Sequence, residues 1–107
     1  LRYGFRGVTH WLIECNYNTD ILQERLASGA VHPSQYKRTL QSHMSYETCL
    51  KTLLASDLTS TRHIVLIHLS DANSDAERCR LGIAGATGKD VRVATRGMTQ
   101  EINRTPF

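Results

Sequence analysis

Apolar residues along the chain fall into two kinds of run, and the difference between them predicts the order of elements. Trp11, Leu12, Ile13 and Cys15 lie in a stretch of strand formers that gives way to the polar Asn16-Tyr17-Asn18, which predicts a buried strand over residues 9 to 15 and then a loop. The clearest strand spans residues 62 to 68, where Ile64-Val65-Leu66-Ile67 is continuous in the way of strands buried on both faces of a parallel sheet. Residues 91 to 94 form a last strand. Between these runs the spacing turns helical. Ile21, Leu22, Leu26 and Ala27 mark a helix over residues 19 to 27 with Gly29 as its stop, and Pro33 opens a second stretch carrying Tyr36, Lys37, Arg38 and Leu40. Ser45 is placed to cap a helix from 46 to about 56 whose apolar face is Cys49, Leu50, Leu53 and Leu54. Ser74 with Glu77 three residues on has the form of a capping box opening a helix that ends at Gly88. The tail to Phe107 has no clear period.

Strand, helices, strand, helix, strand predicts an α/β layer architecture with parallel pairing. Ligands in such sheets gather beyond the carboxyl ends of the strands. Glu14 and His68 both stand at such ends, and His43 lies in the loop that feeds the helix between them.

Composition narrows the picture without naming a function. A chain of 107 residues suits one domain, residues 1 to 107, and roughly 60 to 70% of its unfolded surface can be buried at this size. With 40% hydrophobic and 21% charged residues it falls outside the composition of disordered chains. The net charge is +3, and ten of the thirteen basic residues are arginine, the side chain best shaped for phosphate; an anionic ligand and a solvated basic surface both fit. Cys15, Cys49 and Cys79 form an odd set with no CxxC pair, which points to reduced thiols in a cytoplasmic protein and to packing rather than metal binding. No apolar stretch reaches the ~20 residues of a membrane span, so a membrane partner is not expected.

His68 closes a buried strand and leads into a polar loop, a position from which its imidazole can serve a shared cleft as a metal ligand or bond a backbone carbonyl as a structural group. The words around it favour the ligand. Residues 65 to 74, Val-Leu-Ile-His-Leu-Ser-Asp-Ala-Asn-Ser, resemble the last metal-binding motif of metallo-β-lactamase-fold phosphoesterases, in which a His-Leu-Ser or His-Phe-Ser sequence follows a hydrophobic strand. Residues 12 to 17, Leu-Ile-Glu-Cys-Asn-Tyr, resemble that family's strand-end Glu-Ala-Asn or Glu-Ala-Thr segment, and residues 42 to 45, Ser-His-Met-Ser, its Gly-His-Leu-Ser or Gly-His-Ser-Thr segment. The order matches, and the separations between Glu14, His43 and His68 are similar to those in the tRNase Z-like and the bacterial and phage hydrolase branches. The likeness covers about residues 9 to 95. The family's His-x-His-x-Asp-His motif, which lies before the Glu14-like segment, is not in this sequence, so the resemblance reaches only the C-terminal half of a metallo-β-lactamase-type αββα sandwich.

That resemblance implies a metal-dependent phosphodiesterase acting on nucleic acid or a cyclic nucleotide, with zinc or manganese as cofactor. It implies that His68 ligates the metal, that His43 donates a proton to the leaving oxygen, and that Glu14 orients His43. Ser70, Asn73 and Arg38 are weaker candidates for substrate contact; turn chemistry, helix capping and an exposed helix face explain them as well. A catalytic zinc needs more protein ligands than one histidine, so the half by itself is expected to be inactive. The alternative is a non-catalytic module that binds anions or docks on a partner chain supplying the absent motif. An open sheet edge in such a half predicts self-association.

Overall fold

The computed structural model describes residues 9 to 94. Its sheet is built around the run the sequence singled out: β2, His63–Ile67, lies between β1, His10–Glu14, and β3, Asp90–Val93, and all three strands are parallel. Trp11 stands beside Ile64 and Ile13 beside Leu66, while Ile64 pairs with Val91 and Leu66 with Val93. Because side chains alternate along a strand, this register puts all six on one face of the sheet.

Two helices close that face. They are α3, Tyr46–Leu54, and α4, Ala76–Thr87, which bring Cys49, Leu53, Cys79 and Ile83 into one core with Trp11, Ile13, Cys15, Ile64, Leu66 and Val91. The other two helices, α1, Thr19–Ala27, and α2, Pro33–Ser42, belong with α3 to the connection from β1 to β2, and a smaller cluster of Tyr17, Leu22 and Val31 with Tyr36 packed against it holds them. Gly82 lets α3 and α4 approach closely, since a Cβ there would lie 2.1 Å from the Tyr46 hydroxyl oxygen. No helix among the described residues is long and apolar enough to cross a membrane.

The three thiols are free and fully buried. The hydrogen bond to Cys49, and burial after it, push the Cys15 thiol up to about 12, and the hydrogen bond to Cys15 and burial raise Cys79 as well. Thiols held this far from the thiolate pack as small apolar groups.

Local expectations were met in type and shifted at their ends. The fourth helix is capped by Asp75, whose carboxylate accepts the Arg78 N–H at 3.0 Å, and not by Ser74. Ser74 is committed elsewhere, donating its hydroxyl to the Ser70 carbonyl, and Glu77 pairs with Arg80 instead of reaching back to the cap. The capping box of this fold is at α2, where His32 accepts the Ser34 N–H and Gln35 accepts the His32 N–H. Leu54, expected on the apolar face of α3, is the helix's last residue and is 55% exposed. Among the described residues the strand-and-helix order is that of an α/β domain with a three-stranded parallel sheet and four helices. The tail after residue 94 lies outside the described residues.

Candidate functional site at the carboxyl rim

Three chain segments meet where β1 and β2 end, and Asn16 ties them together. Its N–H donates to the Met44 carbonyl at 2.9 Å, its own carbonyl accepts the Ser70 N–H at 2.9 Å, and its side-chain amide donates to the His68 carbonyl at 2.6 Å. Just before it, the Cys15 N–H donates to Ile67, so the pairing of β1 with β2 runs to the rim. A parallel bridge between Tyr17 and Ser45 and the Tyr46 N–H bond to the Tyr17 carbonyl seat the segment before α3 against the same loop.

His68 leaves β2 with φ at 61°, the left-handed region that side chains other than glycine seldom enter. A residue held there costs about 1 to 3 kcal/mol, so the surroundings must hold it, and the Asn16 amide on its carbonyl is the visible restraint. The turn breaks the strand's direction at the residue whose ring belongs to the site.

Glu14 is the centre of that site. Its Oε1 accepts from His43 Nδ1 at 3.2 Å and from His68 Nδ1 at 3.1 Å, and its Oε2 accepts the Met44 N–H. An ionised carboxylate has acceptors only, so both rings carry a proton on Nδ1, and in each neutral ring Nε2 keeps its lone pair for another partner. Burial works to raise the Glu14 carboxyl, but the Met44 N–H and the His43 and His68 rings outweigh it and hold Glu14 below its ordinary value. The carboxylate is the least exposed of the three side chains at 22%, against 42% for His43 and 59% for His68, so the anion is covered and the rings face outward.

Such an arrangement can do two things. A histidine anchored through Nδ1 on a carboxylate is fixed in the tautomer that ligates a metal through Nε2. The same anchoring gives a ring a defined direction for proton transfer at Nε2. Among the described residues no group of three or more His, Cys, Asp and Glu side chains is arranged to hold a metal ion.

The remaining candidates divide between two regions. Arg38 and Asn73 line a cavity of about 480 Å³ whose wall includes His43. Ser70 lies outside it, in a separate depression with Leu69 and Asp71, and its hydroxyl accepts the Asn73 N–H in turn chemistry. Lys37, beside Arg38 in sequence, is exposed and lines neither. Sequence reasoning gave no role to Asn16, Arg25 or the Met44 N–H. Asn16 stands inside a quoted motif and could have been found there, whereas nothing in the pattern distinguishes Arg25 from other helical arginines. No protein-family model, curated protein or solved structure matches this chain, which leaves the cluster at the rim as the ground for reading its function.

Proposed function

We propose that the chain works as the C-terminal half of a metallo-β-lactamase-type phosphoesterase domain that cleaves a nucleotide or nucleic-acid phosphodiester. The observation that carries this reading is the shared acceptor: one Glu14 oxygen takes a hydrogen bond from both His43 and His68, residues brought together from two different loops. His43, in its doubly protonated form, gives the Nε2 proton to the leaving oxygen and is left as the neutral ring whose Nδ1–H stays on Glu14. His68 presents Nε2 as one metal ligand, and the other ligands come from outside the described residues, from flanking sequence or a partner chain. A divalent ion there, zinc or manganese, would polarise the phosphoryl oxygen.

The test is metal analysis and phosphodiester hydrolysis on the natural polypeptide with whatever flanks or accompanies it. His68→Ala is expected to lower metal content. His43→Ala should leave metal content unchanged and slow turnover by roughly 10²- to 10⁴-fold. Full metal occupancy in the His68 variant, or undiminished turnover in the His43 variant, would remove the role assigned to that residue.

A further inference from the structure

His43 also lines a second cavity, which neither Glu14 nor His68 lines. Gln35, Arg38, Thr39 and Ser42 follow the i, i+3, i+4, i+7 spacing that puts residues on one face of a helix, and all four line it. Their helix, α2, buries none of its residues, so this polar face is not turned inward to pack. Arg25 approaches from the last turn of α1 and Asn73 from the loop ahead of α4. No carboxylate is among the lining residues, while two guanidinium groups and an imidazole are.

Two of the lining residues also bury one polar atom each without a hydrogen-bond partner among the described residues, Arg25 its Nε and Asn73 its Oδ1, both closed off from the cavity itself. Buried polar groups left unpaired are costly, and each one in a folded protein calls for an explanation. The groups that the cavity does present, two arginines and a histidine with no carboxylate among them, suit a phosphate.

We infer that this cavity is a nucleotide-phosphate site, in which the terminal guanidinium nitrogens of Arg25 and Arg38 take the phosphate. Its volume of about 480 Å³ is within the range of small-molecule pockets. The identification of the nucleotide as substrate rests on the catalytic reading of His43, because His43 is one of the residues lining this cavity. Phosphate recognition itself does not depend on metal or turnover.

Equilibrium binding without added metal tests it, with adenosine monophosphate, adenosine and a ten-nucleotide single-stranded RNA as probes. The monophosphate is expected to bind and adenosine to bind at least about tenfold more weakly, since charge-assisted hydrogen bonds are lost with the phosphate. Arg25→Gln and Arg38→Gln should each weaken the monophosphate by about tenfold or more, and Lys37→Gln should not. Arg38 is exposed, so its variant decides the matter if the Arg25 variant fails to fold. Much tighter binding of the RNA with the same Arg38 dependence would identify a polynucleotide as the source, and equal binding a free nucleotide. Adenosine matching the monophosphate, or Arg38→Gln matching wild type, would overturn the site. Binding without hydrolysis in the natural assembly supports the cavity and sinks the catalytic reading instead.

Discussion

Asn16 donates its side-chain amide to the carbonyl oxygen of His68 at 2.6 Å, and so holds a left-handed backbone at the point where β2 ends. This bond links the end of one strand to the turn after another, 52 residues away. The site's geometry depends on it, because the direction of the His68 ring is set by that turn.

Asn16→Ala is accordingly expected to destabilise the domain by about 0.5 to 1.5 kcal/mol, the net worth of an ordinary hydrogen bond at an exposed position. At position 68 the backbone itself can be tested. His68→Gly and His68→Ala both delete the ring, but only glycine accepts φ near 61° without strain, so the glycine variant should be the more stable by about 1 kcal/mol. Urea denaturation measures both, and equal stability of the two His68 variants would mean that the turn relaxes freely.

Glu14 predicts an acid-sensitive contribution to stability. Its carboxyl sits lower in the folded protein than in the unfolded chain, so ionised Glu14 stabilises the fold above the unfolded value, and this is lost as pH falls through the folded one. Denaturation midpoints between pH 6 and pH 3 should therefore fall more steeply for wild type than for Glu14→Gln. Parallel slopes would show that the two histidines and Met44 do not hold the carboxylate in solution.

The buried thiols should be silent in the native state. Cys15, Cys49 and Cys79 are free and fully buried, and two of them are pushed away from the reactive thiolate. A thiol-specific disulfide reagent is expected to label none over minutes at pH 8 and all three in urea. Rapid labelling of the folded protein would contradict the packing described.

The two central glycines of α4 should respond in opposite ways to the same methyl group. A Cβ added at Gly85 would meet nothing within 4 Å, so Gly85→Ala should stabilise the helix by about 0.5 to 1 kcal/mol. At Gly82 the methyl would lie 3.1 Å from Tyr46 Cζ as well as against its hydroxyl, and displacing the ring typically costs about 1 to 3 kcal/mol. Gly82→Ala should therefore be less stable than Gly85→Ala by at least about 1 kcal/mol, a difference that urea midpoints resolve.

Element type and order were legible in the residues because the periods of strands and helices are local properties. Ile64, Val65 and Leu66 announce a central strand with no knowledge of their neighbours, and Ser45 caps α3 as its hydroxyl chemistry suggests, accepting the Thr48 N–H. Strand ends bearing Glu14 and His68 followed from the same local signals. Folding added what depends on contacts between distant segments. The choice of Asp75 over Ser74 as a cap turned on whether Ser70 claimed the serine first. That Glu14 would serve both histidines depended on the register of β1 beside β2 and on the Asn16 bonds, neither of which any short stretch encodes. Arg25 and Asn73, far apart in the chain, became walls of one cavity for the same reason: hydrophobic periodicity dictates which face of an element is buried, and packing alone dictates which polar atoms then meet across the space left between elements.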